Sequence, residues 1–466
     1  MTSNAEPSTQ FEPKITAFVC NWCTYTGADL AGTSRLQMAD NVRIIRLPCT
    51  GRIDPLFIVK AFERGADGVI VSGCHPADCH YTTGNYHARR RFAVFNELLE
   101  LIGFEPGRVT FSWVSASEGG KWQDVVNTAT ETVRRLGPFD AYHHLADAQP
   151  AGHVDLGHVG TAGARAVEAA TDATGEAVIE LRELARTLLA EGRVGVVIGW
   201  EEGPRGARPA FITRAGDAGR LIFDARCTHD LAAYLSPRRS NLAALGKKAV
   251  VVKPCDAKAV AGLIRETQLK RDDVVLIGVR CGGVLADPTR PAEVLPETVA
   301  PRCAECQSHE PKLADHVVGA PAAAPPVSAL PDLLASLEAM APAERWAFWQ
   351  SELSRCVRCH ACREVCPLCF CERCVADKTQ PQWIESSAHG RGNFAWHLTR
   401  AIHLAGRCVG CGECERACPA AIPLGLLNKK VAHVMAERFN YVATDDPAVP
   451  CPIGTFRQDD TQEFIR

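Results

Sequence analysis

Short apolar runs recur along the first 145 residues, and each is followed by a stretch of helical periodicity. The runs 15–19, 42–47, 68–72 and 109–114 are of strand length and rich in branched residues. Apolar positions three and four apart mark helices at 27–36, 54–64, 86–102 and 118–136. This alternation predicts a flavodoxin-like, doubly wound parallel sheet with right-handed crossovers, forming a domain over 1–145. Periodicity then gives way to Ala, Gly and His, so 146–175 reads as a linker. A second α/β domain is expected over 176–318. Its helix is at 177–191, its strands at 194–198, 210–213, 249–253 and 274–279, and its crossover helix at 257–266. The Ala/Pro-rich stretch 319–332 predicts a second, stiffer linker. The last segment, 333–466, is helical and loop-rich with a polar tail.

Cysteine spacing changes that picture most. Cys356-x2-Cys359-x2-Cys362-x3-Cys366-Pro367 is answered by Cys408-x2-Cys411-x2-Cys414-x3-Cys418-Pro419. This is the ligand pattern of a ferredoxin-type dicluster domain, in which the fourth cysteine of each run crosses to the other cluster. Cys356, Cys359, Cys362 and Cys418 are therefore expected on one [4Fe-4S], and Cys408, Cys411, Cys414 and Cys366 on a second. The short gaps wrap a loop around a cubane corner and turn backbone N–H groups toward sulfur. Zinc and disulfides are the alternative uses of such thiols, but zinc seldom takes an eight-cysteine frame.

Composition narrows the classes. The 466 residues suggest about three domains, and 46% hydrophobic with 23% charged residues suits packed cores. A net charge of −3 offers no field for nucleic acid. The polar N-terminus lacks the regions of a secretory signal, and no apolar run approaches the ~20 residues of a membrane span. Twenty-two cysteines in such a chain read as metal ligands in a reducing compartment, so a cytoplasmic location is expected.

In the first domain Cys20, Cys49 and Cys74 each follow a predicted strand, with Cys23 and Cys79 further along the same loops. Those loops meet at the carboxyl edge of a doubly wound sheet, where ligands bind. Isolated buried thiols are the plain alternative; five at one edge favour a metal centre. The strings Phe18-Val-Cys-Asn-Trp-Cys-Thr-Tyr-Thr-Gly-Ala-Asp, Pro48-Cys-Thr-Gly-Arg-Ile-Asp-Pro and Gly73-Cys-His-Pro-Ala-Asp-Cys-His-Tyr resemble the delta subunit family of methyl-viologen-reducing hydrogenase over about residues 14–140. The resemblance implies one [2Fe-2S] held by four of the five cysteines, with Cys20 expected as the spare. It also implies electron transfer between a hydrogenase or formate dehydrogenase and the A-type flavoprotein of heterodisulfide reductase.

Cys255, Cys281 and the pair Cys303-x2-Cys306 make a plausible four-thiolate site in the second domain, with zinc as the alternative. The layout resembles the beta subunit family of deazaflavin-reducing hydrogenase and formate dehydrogenase. That resemblance implies a third [4Fe-4S] beside an FAD. No Gly-x-Gly-x-x-Gly or P-loop supports a nucleotide independently; Gly199–Pro204 reads as a turn that could approach a cofactor. Cys369, Cys371 and Cys374 exceed the needs of two cubanes. They either anchor a fourth [4Fe-4S], with Cys227 as a candidate fourth ligand, or are packed thiols. Cys451 is expected to be structural. His75 and His80 flank the first-domain loops as ligating, tuning or surface groups, and 87–91 forms a basic helix face that could meet an acidic partner. Trp346, Phe348 and Trp349 are expected to shield the clusters. No acid–base or nucleophilic constellation emerges, so the expected role is an electron relay within a multisubunit redox complex, with electron bifurcation as one option. A flavin-dependent enzyme reducing a deazaflavin or nicotinamide is the alternative.

Overall fold

The computed structural model of the chain describes residues 11–143, 145, 173–289, 294–324 and 332–466. The expected linkers lie largely outside these residues, at 146–172 and 325–331. The first sheet contains β1 (Ile15–Cys20), β2 (Val42–Leu47), β3 (Gly68–Gly73) and β4 (Val109–Trp113). All pairs are parallel, in the order β2-β1-β3-β4. The helices between them are α1 (Thr24–Thr33), α2 (Pro55–Glu63), α3 (Gly84–Ile102) and α4 (Gly119–Leu136), with a short α5 (Asp140–His143) after them. Asp54 starts α2: its Oδ1 accepts the Leu56 N–H at 2.8 Å while Pro55 fills the first helical position. Parallel strands with helical crossovers bring the carboxyl ends of β1, β2 and β3 side by side. The loops carrying Cys20, Cys49 and Cys74 are thereby neighbours.

After α6 (Ala173–Ala190), the second sheet is mixed. It comprises β5 (Val196–Gly203), β6 (Gly206–Ile212), β7 (Leu221–Ile222), β8 (Lys248–Val252), β9 (Val274–Val279) and β10 (His316–Val318). The order is β10-β9-β8-β5-β6, with β7 on β5; β5, β8, β9 and β10 run parallel and β6 antiparallel. The segment read as a turn after a strand is instead the end of β5, paired with β6 down to Gly203 opposite Gly206. Trp200 within it is fully buried, so cross-strand pairing overrides the local glycine signal. Crossover helix α7 (Pro254–Arg265) and short α8 (Pro301–Ala304) complete this part.

The C-terminal segment is built of α9 (Leu333–Glu338), α10 (Pro342–Ser354), α11 (Ala361–Glu364), α12 (Gly390–His403), α13 (Glu413–Arg416) and α14 (Leu424–Phe439). One continuous apolar core joins it to the first sheet's helices. Trp346 packs on Phe104, Phe139 and Phe394 with ring centres 5.4–5.7 Å apart. Trp349, fully buried, donates its indole N–H to the Leu101 carbonyl at 3.1 Å. The aromatic residues ahead of Cys356 therefore dock the first unit, a role beyond the shielding expected of them.

The basic run on α3 is also reassigned. Arg89 and Arg90 are buried against the chain's own C-terminal tail. Arg90 holds Asp460 through two hydrogen bonds of 2.5 and 2.8 Å and the Pro452 carbonyl at 3.0 Å. Arg91 donates to the Gly51 and Ile53 carbonyls. The tail then runs on to pair Ile465 with Phe111 beside β4. Asp460→Asn leaves a buried cation unpaired and should cost about 3 kcal/mol in urea unfolding. Burial alone would raise the Asp460 carboxyl, but Arg90 and the Arg457 amide outweigh it and hold it below the usual range. A carboxyl depressed on folding stabilises above its unfolded value of about 4 and loses that contribution as pH falls further. The gap between wild type and variant should accordingly shrink below about pH 4.

Candidate metal centres

The two cysteine runs fold as matching loops. In the first, Arg358 and His360 flank Cys359 with φ of 57° and 59°; in the second, Gly410 and Gly412 flank Cys411 with φ of 72° and 67°. Left-handed backbone is natural for glycine but strained for Arg and His, and such strain gathers at functional sites. Its effect here is to turn backbone N–H groups inward: the Arg358 N–H meets Cys356 Sγ at 3.4 Å. One pocket is lined by Cys356, Cys359, Cys362 and Cys418, with His360, His397 and Trp396 around them. Cys418 comes from the other run. The His397 Nε2 lies 3.2 Å from Cys356 Sγ. Burial holds this histidine neutral, its pKa lowered to about 3.

Cys366, half-buried, lies within electrostatic reach of Cys408, Cys411 and Cys414. Burial pushes the Cys408 thiol up to about 11 and that of Cys414 to about 12. Asn428 Nδ2 approaches Cys414 Sγ at 3.7 Å. The surplus thiols are dispersed. Cys369 packs beside Cys366 and Arg400, Cys374 lies near Arg358 and Arg363, and Cys371 is exposed. Cys227 is fully buried in the second sheet's core, where Asp224 N–H meets its sulfur at 3.4 Å. Cys451 packs under the Ala405 carbonyl.

In the first unit Cys20, Cys49, Cys74 and Cys79 form one buried cluster, with Cys23 against its rim. Cys20 and Cys74 sulfurs are 3.5 Å apart, and those of Cys49 and Cys79 3.9 Å. The Cys74 hydrogen bond is the main cause that lowers the Cys20 pKa to about 6. Gly84, at the start of α3, closes this cradle: a Cβ there would strike Cys49 Sγ and reach within 3.5 Å of Cys79 Sγ. His75 is paired with Glu118 at 2.7 Å, and His80 stacks on Trp22 with ring centres 3.8 Å apart.

In the second unit Cys255 opens α7, Cys281 follows β9, and Cys303 sits on α8 with Cys306 just after it. Cys281 lies within electrostatic reach of both Cys255 and Cys303. Burial pushes Cys281 up to about 11. Gly283 N–H donates to Cys281 Sγ and Ser308 N–H to Cys306 Sγ, each at 3.4 Å. Buried Lys253 donates to the His229 carbonyl at 2.6 Å and to Asp256 at 2.9 Å beneath this site.

Among the described residues no three or more His, Cys, Asp or Glu side chains are grouped as ligands of a single metal ion. What recurs instead is a thiol receiving the N–H two residues on, at Cys49, Cys281, Cys306 and Cys356. Thiols gathered in groups and facing backbone amides suit a multi-iron cluster, whose ligation deprotonates them. Sequence reasoning missed His397, Arg400 and Gly84. The signal lay in Asn393, His397 and Arg400, polar residues at i, i+4 and i+7 along one face of α12. No described helix is long and apolar enough to cross a membrane.

Residues 15–137 match the family described as methyl-viologen-reducing hydrogenase, delta subunit, and 352–422 match the 4Fe-4S dicluster domain. The D-type iron–sulfur protein of F420-non-reducing hydrogenase from Archaeoglobus profundus is 51% identical over 132 residues, 28% of this chain and 96% of that protein. Its counterpart in the vhc F420-non-reducing hydrogenase of Methanococcus voltae is 52% identical over 128 residues, 28% of this chain and 89% of the relative. The A-type protein of a ferredoxin/F420H2-dependent CoB-CoM heterodisulfide reductase from Methanosarcina acetivorans is 41% identical over 127 residues, 27% of this chain but 16% of its own length.

Proposed function

Because the chain belongs, through residues 15–137, to the methyl-viologen-reducing hydrogenase delta-subunit family, we propose that it is an iron–sulfur electron-transfer subunit of a multisubunit redox complex. The observation that carries this reading is the gathering of Cys356, Cys359 and Cys362 with Cys418 around one cavity. Cys408, Cys411, Cys414 and Cys366 take the second [4Fe-4S], and Cys255, Cys281, Cys303 and Cys306 a third. The four buried thiols Cys20, Cys49, Cys74 and Cys79 take a [2Fe-2S], which makes rim-lying Cys23 the spare in place of Cys20. Bound clusters supply one-electron storage; the chain holds, spaces and insulates them.

Contacts suggest an order. Arg302, beside Cys303, packs on Gly412 beside Cys411, which supports a second-unit cluster next to the Cys408 run. His403, five residues before Cys408, lies by Asp54 and Arg91 of the first unit. The Cys408-run cluster is therefore a junction between the other carriers, and the Cys356-run cluster is open to solvent at exposed Cys359. A unit like residues 15–137 forms nearly all of the related hydrogenase D-type proteins and part of a heterodisulfide reductase A-type protein. A flavoprotein like the latter is thus the partner we infer, with electron bifurcation a property of the complex.

Anaerobically purified chain should carry about 14 iron atoms, from one [2Fe-2S] and three [4Fe-4S]. Zinc without acid-labile sulfide would end this reading. The segment 199–204, which could have approached a flavin, is strand over Gly199–Gly203. Stoichiometric flavin released on denaturation would establish the enzyme alternative instead. Gly84→Ala should remove about 2 iron atoms and the [2Fe-2S] EPR signal while both C-terminal signals persist.

A further inference from the structure

Arg400 shares with Arg358, and with no other deeply buried arginine among the described residues, the lack of a carboxylate partner. Arg90 has Asp460 and Arg108 has Glu105 as carboxylate partners. Arg400 is 5% exposed, donates to the Cys362 carbonyl at 3.0 Å, leaves Nε without a partner, and has no carboxylate at ion-pair distance among the described residues. A buried, unpaired guanidinium is strongly unfavourable, because one carbonyl returns far less than the lost hydration. The anionic groups in reach are sulfurs: those of Cys362 and Cys366 from the first run, Cys414 from the second, and Cys369. They balance its charge only when ionised, as ligands of a cluster are. Cys362 and Cys414 belong to different clusters in the ligand reading, and Cys366 bridges from one loop to the other.

We propose that Arg400 is a positioning residue that serves as the shared counter-cation of both C-terminal [4Fe-4S] clusters and raises both of their reduction potentials. The inference rests on the ligand assignment under the proposed function. Adding an electron to either cluster increases negative charge beside the guanidinium, so a fixed cation favours the reduced form of each. Its neighbour on the same helix face differs in scope: His397 meets only Cys356, of one cluster. A cation seated between two carriers keeps their potentials moving together, which suits transfer in series.

The test is an EPR-monitored redox titration of the full chain with dithionite as reductant. In Arg400→Gln both cubane signals should titrate at more negative potential while the [2Fe-2S] potential stays fixed. Arg400→Lys should return both toward wild type, and His397→Phe should move only the Cys356-run signal. Unchanged potentials in Arg400→Gln, or a shift in one cubane alone, would overturn the proposal. Should Arg400→Gln lose its iron, retention of both clusters in Arg400→Lys supports a charge requirement, and loss there too refutes it. Wild-type protein without labile sulfide would sink the ligand assignment itself, a result distinct from any of these.

Discussion

Cys366→Ala is expected to extinguish the cluster of the other run: the EPR signal lost should be the one that Cys411→Ala also removes. The reciprocal variant, Cys418→Ala, should match Cys359→Ala. Each should lower iron by about 4 atoms per chain, the content of one cubane. Spacing alone permits a simpler assignment, with each run of four holding its own cluster. The three-dimensional arrangement disfavours it, because the cavity containing Cys356, Cys359 and Cys362 is completed by Cys418. Cys366 does not line that pocket and lies within electrostatic reach of Cys408, Cys411 and Cys414. Pairing of Cys366→Ala with Cys359→Ala in their lost signals would refute the crossed assignment. The functional effect should be large for either loss. With the Cys408-run cluster at the junction, its removal should slow electron transfer from the first unit to the exposed Cys359 end by orders of magnitude in stopped-flow reduction. Loss of the terminal cluster should spare reduction of the other carriers.

What is legible in the sequence follows from how local its signals are. Strands β1, β3 and β4 are readable because buried parallel strands are short apolar runs, edge strand β2 shows through its branched residues although most of it is exposed, and the helices carry their own periodicity. Thiols are scarce and meaningful, so the grouping of Cys20, Cys49, Cys74 and Cys79 can be anticipated from their place after strands. The β5–β6 hairpin is misread because Gly199 and Gly203 look like punctuation until a partner strand is seen. Arg89 and Arg90 look like solvated helix charges; their carboxylate stands some 370 residues away, at Asp460. Arg400 is invisible for a related reason. A polar residue inside a helix has meaning only once its surroundings are known, and those come from both cysteine runs.

Trp349→Ala should reveal how the first unit's carrier is kept in contact with the rest. A flexible link would hold successive carriers together through effective concentration alone. The chain instead shares one core, in which Trp349 is fully buried against α3 and bound to the Leu101 carbonyl. Truncating such an indole should cost about 3–5 kcal/mol, since the cavity cannot be refilled by neighbours already packed ring on ring. Urea unfolding of wild type should therefore show the [2Fe-2S] and C-terminal chromophores bleaching in one transition. In Trp349→Ala the two should separate, with the first unit released earlier. Electron transfer between them should become multiphasic, because a loosened interface samples several distances where a packed core fixes one. A variant with an unchanged urea midpoint and unaltered transfer kinetics would show that the linker, and not the aromatic core, sets the spacing.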